Sequence, residues 1–295
     1  MVEKRLVQWY AHSSGVALDI AEREIVLTYV LRILADAEIL DKLAFKGGTA
    51  IRKLHLGNQG RFSLDLDFTA VDLKDPEESI LEIVDMISER THFGLSFTIQ
   101  PGEFYATEDS CGAEVTYQHD WLMDGRFSLQ ISFRAAPLLP VEPTKLVPEQ
   151  YFDWLEIEPP EPPSLDLHEI IGEKIRAAAQ RGRVRDLFDL YQFSTLPFNR
   201  DLVRRIAVIK CWETRFSLEP QVFLQGIQDG NYDWADLGRL VRRSQNLTPD
   251  QIIKRVREGY SFLIELTDEE VLLSEDPHQR RRDVYKGLLE RLQAE

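Results

Sequence analysis

Two aspartates one residue apart, Asp65 and Asp67, close the stretch FKGGTAIRKLHLGNQGRFSLDLDF at residues 45–68. On an extended strand successive side chains point to opposite faces. Leu64, Leu66 and Phe68 would then share one face, and Ser63, Asp65, Asp67 and Thr69 the other. Two neighbouring carboxylates repel each other unless a cation lies between them. Hard divalent ions such as Mg²⁺ take oxygen ligands and commonly use one or two carboxylates plus substrate phosphates. D-x-D alone is common on half-exposed strands. The glycine pair upstream sets this one apart. Gly47 and Gly48 fall between an expected strand and an expected helix. There, backbone N–H groups can approach a phosphate and the helix N-terminus adds a favourable dipole. Thr49 adds a hydroxyl. A phosphate cradle followed by a two-carboxylate strand is the minimum apparatus for metal-assisted nucleotidyl transfer.

A second constellation, EKIRAAAQRGRVRDLFDLY, spans residues 173–191. Lys174 lies in an expected helix, Arg181 and Arg185 follow, and Asp186 and Asp189 lie one turn apart on the next helix. A lysine on an inward face can meet a triphosphate as a point charge. Asp186 or Asp189 could orient that lysine or hold an arginine. The bland alternative is two surface helices laced by ion pairs.

The elements that must position these residues read as follows. Residues 15–38 have apolar side chains at three and four spacing and read as an amphipathic helix. LAFKGG gives a short strand and a glycine turn, and TAIRKLHLG a helix ending near Gly57. SLDLDFTAV alternates as a strand. DPEESILEIVDMISERTH reads as a helix beginning near Asp75 or Pro76. LSFTIQ, AEVTYQ and RFSLQISFRA read as strands, the last two flanking a hairpin connection, HDWLMDG. The proline-rich stretch from Pro137 to Pro163 reads as a linker. Beyond it SLDLHEIIGEKIRAAAQRG, RVRDLFDLYQF, DLVRRIAVIKCWETR and TPDQIIKRVREGYSFLIEL all carry helical periodicity. The expected fold is α+β. A mixed sheet with flanking helices occupies residues 1–163, and a helical bundle occupies 164–295 and brings Lys174, Asp186 and Asp189 to the cleft.

The two blocks together resemble the AbiEii/MenT group of nucleotidyltransferase-like toxins of type IV toxin–antitoxin and abortive-infection systems, within the DNA-polymerase-β-like nucleotidyltransferase superfamily. The resemblance rests on RFSLDLDF joined to EKIRAAAQRGRVRDLFDLY, covers about residues 40–195 by motif, and extends beyond them by architecture. It implies a phosphate-binding turn at Gly47, Gly48 and Thr49, with Arg61 and Ser63 near the phosphates. It implies Asp65 and Asp67 as holders of one or two Mg²⁺ ions, Lys174 on the triphosphate, and Asp186 or Asp189 as a catalytic carboxylate. Arg185, in the same motif, joins the nucleotide-binding set. The implied reaction transfers a nucleotide from an NTP to RNA, at the tRNA 3′ acceptor end, blocking translation. The implied partner is a co-encoded antitoxin with a winged-helix DNA-binding domain. Two departures stand out. A third carboxylate of the superfamily is expected on the strand FSLQISFRA, where Gln130 or Ser132 stands instead and Glu114 on the neighbouring strand is a weak substitute. The 16 residues between Gly48 and Asp65 also imply a long loop. Rival expectations are an NTP-binding protein without transfer, a transferase acting on a protein hydroxyl or small molecule, and a noncatalytic interaction module.

Charge bears on the partner. The formal net charge of -15 argues against nonspecific nucleic-acid binding. It is uneven: residues 1–163 hold 14 Lys+Arg against 28 Asp+Glu, and residues 164–295 hold 21 against 22. Local arginine clusters in the second part could grip a polyanion while the acidic part binds metal, although any one cluster reads first as a solvated helix face. Cys111 and Cys211 form no close-spaced motif and read as free thiols in a reducing cytoplasm. The six scattered histidines give no H-x-x-x-H pair and no support for a zinc site. No apolar run reaches the length of a bilayer span, and MVEKRLVQWY has no signal-peptide core.

Overall fold

The computed structural model describes residues 2–294. The chain divides into two compact units, residues 1–137 with 141–165 and 239–244, and residues 138–140 with 166–238 and 245–295.

The first unit is built on a nine-stranded mixed sheet with the strand order β3-β4-β6-β7-β2-β1-β9-β8, β5 pairing with β6. The central strands are β1 (Leu43–Lys46), β2 (Leu66–Ala70) and β7 (Leu122–Ser132). β1 runs antiparallel to β2, and β2 parallel to β7. β6 (Ser110–His119) forms a hairpin with β7, as the alternation predicted, but the connection is the Asp120-Trp121 turn and not the whole of HDWLMDG, most of which lies in the strands. β3 (Arg90–His92) and β4 (Leu95–Thr98) extend one edge, β5 (Phe104–Ala106) sits beside β6, and the two-residue strands β8 (Glu142–Pro143) and β9 (Pro163–Ser164) close the other edge. Helix α1 (Lys4–Ser14) was not expected from the sequence; α2 (Leu18–Asp36) was. α2 is not the amphipathic helix expected: it is buried nearly all round, Glu22 and Glu24 included. Phe45, Leu66, Phe68, Leu129 and Ile131 join α1 and α2 residues in one core.

Four further expectations need correction. The strand expected at SLDLDFTAV starts only at Leu66, so Asp65 precedes it. The cause is local: the Thr49 hydroxyl donates to the Asp65 carbonyl, and the Ser128 N–H goes to the Asp65 carboxylate at 3.4 Å rather than to a ladder carbonyl. The helix expected at TAIRKLHLG is one α turn, α3 (Gly47–Ala50), continued by a π-helical segment at Ile51–Leu56. The wider i→i+5 turn accommodates two consecutive long cations, Arg52 and Lys53, both buried. From Val141 onward the proline-rich stretch is folded into the first unit. Tyr151 is fully buried, its hydroxyl paired with Thr28, and the Val147 N–H donates to the Lys53 carbonyl. The helix expected over residues 75–92 ends at Ile87, giving α4 (Pro76–Ile87), capped by Asp75, whose side chain accepts from the Glu78 N–H.

The second unit is helical. α5 (Leu167–Arg181), α6 (Val184–Phe193), α7 (Arg200–Glu213) and α10 (Pro249–Gly259) fall where the periodicity placed them. α8 (Pro220–Asp229), α11 (Asp268–Ser274) and α12 (Arg282–Ala294) were not legible in the sequence, nor was α9 (Trp234–Leu240), most of which lies in this unit. Buried charges tie it together. Lys210 meets Glu169 at 2.6 Å, and Arg204 meets Glu270 at 2.8 Å. Cys111 and Cys211 are buried free thiols, pushed up by desolvation to about 11 and about 12. No helix among the described residues is long and apolar enough to cross a membrane.

Candidate active site

In the first unit the strand order and register bring one set of expected residues together. β1 and β2 place Lys46 opposite Asp67, so the chain leaving β1 turns at Gly47 directly beside that carboxylate. Gly47 has φ of 77°, a conformation that favours glycine, and a Cβ there would collide with the Asp67 carboxylate. A Cβ at Gly48 would meet Arg61 Nη2 and Ser63 Oγ, each at 2.6 Å. Both glycines are therefore required by close approach. The pair packs the turn against Asp67 on one side and against Arg61 and Ser63 on the other. Thr49 is fully buried and its hydroxyl is spent on the Asp65 carbonyl, so it holds the turn onto the aspartate segment. Gly47, Gly48, Thr49, Arg61, Ser63, Asp65 and Asp67 thus form one cluster. Asp65 and Asp67 are half-buried, and Arg61 and Ser63 are buried.

The donor set suits a hard cation, because it offers carboxylate oxygens without thiolate or imidazole. Among the described residues no group of three or more His, Cys, Asp or Glu side chains is arranged to hold a metal ion. Two carboxylates fit a cation shared with a phosphate substrate better than one caged by protein alone. On the parallel neighbour β7, Gln130 is in register with Asp67 and exposed, whereas Ser132 pairs with Thr69 and Glu114 lies opposite Ser128. The side chain next to Asp67 is an amide.

Sequence reasoning missed what holds this turn in place. Arg52, 1% exposed, donates to the carbonyls of Gly57 and Gly60, both at 2.9 Å, and to Glu149 at 3.0 Å, and its guanidinium lies 3.8 Å over the Phe62 ring. It therefore fixes the long loop that delivers Arg61 and Ser63. Glu24 anchors Arg52 at 3.2 Å and Lys53 at 3.0 Å, and Lys53 also reaches Thr28 and Tyr151. Burial would raise the Glu24 carboxyl, but Arg52 and Lys53 outweigh it and hold it low; burial pushes the Lys53 amine down. The available signal was a charged pair, Arg52-Lys53, in an otherwise apolar helical pattern, facing an acid in a buried helix.

In the second unit Lys174 meets Asp186 at 3.1 Å and Asp189 at 2.9 Å, so both carboxylates orient one ammonium. Arg181 adds a two-pronged contact to Asp186, at 2.7 and 2.9 Å. Burial would raise the Asp186 carboxyl, but Lys174 and Arg181 bring it down to about 2. Asp186 and Asp189 are each 1% exposed, and Lys174 is 8% exposed. Arg185 sits apart, in a two-pronged pair with Asp236 at 2.6 and 2.7 Å. Many of the arginines expected to form a polyanion grip are engaged with protein. Arg204 holds Asp201 and Glu270, Arg242 holds Glu149, Arg255 reaches the Ser194 carbonyl, and Arg257 reaches Gln228.

A family model described as nucleotidyl transferase AbiEii toxin, type IV TA system, matches residues 29–292. Among solved structures, the chain is similar to MenT4, the nucleotidyltransferase toxin Rv2826c from Mycobacterium tuberculosis H37Rv. The identity is 25% and the TM-score 0.84, over 99% of this chain and 99% of that one. No curated protein matches the chain.

Proposed function

The chain belongs to the AbiEii family of nucleotidyltransferase toxins of type IV toxin–antitoxin systems, and from that premise we propose that it transfers a nucleotide from an NTP to the 3′ acceptor end of tRNA. The observation that supports this best is the packing of the Gly47-Gly48 turn against Asp67, Arg61 and Ser63. It puts backbone N–H groups, a guanidinium and a carboxylate within one small cluster, the combination a triphosphate needs. In the proposed reaction the RNA 3′-hydroxyl attacks the α-phosphate in line, the bond to the bridging oxygen breaks, and pyrophosphate leaves. The turn and Arg61 would cradle phosphate oxygens, and Ser63 would donate to one of them. Lys174, aimed by Asp186 and Asp189, is assigned to triphosphate charge. A magnesium ion held by Asp65 and Asp67 would supply further charge neutralisation. Gln130 can donate to a phosphate oxygen but cannot take the hydroxyl proton. The work of the protein is positioning and electrostatic stabilisation. Blocking the acceptor end would stop charging and place the target in the cytoplasm. The antitoxin that the family implies is proposed to carry a winged-helix domain.

A second reading, NTP binding without transfer, draws on Gln130 beside Asp67. Incubation with each α-labelled NTP, Mg²⁺ and total tRNA separates the two. Label on tRNA that disappears with Lys174→Ala, and with Asp65→Ala or Asp67→Ala, is the expected result. NTP binding without label on any RNA would favour the second reading, and label that persists in all three variants would refute the site assignment.

A further inference from the structure

The second unit contains a concave pocket of about 490 Å³ that none of the assigned residues uses. Its volume lies in the range of small-molecule sites. It opens beside the turn that joins α5 to α6, and three aromatic side chains, Phe216, Phe223 and Tyr232, stand among its mostly small and aliphatic lining. The Tyr232 ring is braced by Trp234 at 5.6 Å, edge to face, and its hydroxyl donates to the Ile227 carbonyl at 3.5 Å. Two charged side chains also line the pocket, Arg183 and Glu219, both exposed. Arg183 lies two residues from Arg181, whose guanidinium grips Asp186, and three from Asp186 itself.

Aromatic side chains in an apolar lining suit a planar ring. One guanidinium next to them suits a phosphate attached to that ring, because a base stacks through its π-face while arginine holds the backbone. Glu219 can only accept, which favours bases bearing an amino group. We propose that this pocket binds a nucleobase, with the attached phosphate on Arg183. The base can come from a single-stranded RNA or from a free nucleotide. The choice of ligand rests on the proposed transfer to RNA.

Gly226 provides the test. It lines the pocket from α8, and a Cβ there meets nothing within 4 Å. Gly226→Leu therefore adds a bulky side chain at the pocket wall from a Cβ that meets no neighbour, and leucine is the better helix former, so the melting temperature should not fall. Gly287→Leu, at an equally open position on α12, is the control. Calorimetric titration of the full chain uses the four nucleoside 5′-monophosphates and a short single-stranded RNA. Loss of base–aromatic stacking should make Gly226→Leu weaken binding roughly tenfold, and Gly287→Leu should leave it unchanged. An effect on RNA alone assigns the base to a strand, and an effect on monophosphates alone assigns it to a free nucleotide. No binding of either probe by the unmodified chain, or binding that Gly226→Leu does not change, overturns the proposal. Mg²⁺-NTP titration of the same variants keeps the two sites apart. A chain that binds no NTP yet loses RNA affinity with Gly226→Leu would sink the transfer assignment and leave the pocket standing.

Discussion

Replacing Asp186 with Asn removes the anion shared by Lys174 and Arg181 while keeping the shape of the side chain. The ordinary aspartate value of 3.8 against about 2 in the folded chain sets the size of the effect. At about 1.4 kcal/mol per pH unit, that gap is worth about 2–3 kcal/mol of stability near neutral pH. The sign follows from linkage. The folded value lies below the unfolded one, so the unfolded chain binds more protons on acidification. The stabilisation is complete well above pH 3.8 and is lost as pH falls through about 2. Asn mimics the protonated carboxyl. The wild-type minus Asp186→Asn difference should therefore be about 2–3 kcal/mol at neutral pH and about half that near pH 3. Urea unfolding of both proteins across that range, analysed with a common m-value, measures it. A difference that stays constant with pH would refute the claim that the ionised Asp186 carries the stabilisation. Catalysis should respond as well. Without Asp186, Lys174 keeps only Asp189 of its two observed carboxylates, and transfer should fall more than stability does.

Gly48→Ala should lower NTP transfer about 100-fold through displacement of Arg61 and Ser63. Its stability should change by less than about 2 kcal/mol, because overpacking is partly offset by helix propensity; parallel melting and transfer assays check this. Asp65→Asn or Asp67→Asn should abolish Mg²⁺-dependent NTP binding in titration and leave the melting temperature nearly unchanged, since both side chains are half-buried. Glu24→Gln should cost about 3–5 kcal/mol by leaving Arg52 and Lys53 buried without their shared anion. Lys53 already sits below its unfolded value. The Gln variant should therefore gain stability as pH rises from about 7 to about 9, with more protons bound by the unfolded chain; melting curves at the two pH values test the sign.

Local periodicity and motif spacing made much of this molecule readable in advance. The hairpin of β6 and β7, the helices α5, α6, α7 and α10, and the joint occurrence of a glycine turn, a D-x-D strand and a lysine helix all depend on near neighbours in the chain. Alternation and 3.6-residue repeats report such neighbours directly. The nucleotidyltransferase fold and toxin family could be reached from those residues. Which atoms meet across the sheet could not. The register that sets Lys46 against Asp67 and Gln130 beside it comes from strand pairing between distant segments. The requirement for glycine at 47 and 48 arises from side chains 13 to 20 residues away. Arg52 and Lys53 carried no assignment from the sequence, because sequence alone cannot show that Glu24 and Glu149 lie opposite them in the core. The arginine clusters read as a polyanion grip for the same reason: a guanidinium's partner is chosen by tertiary packing. The sequence determined which chemistries were available. Only the fold decided which charges are consumed internally and which face a substrate, because that division depends on distances between residues far apart in the chain.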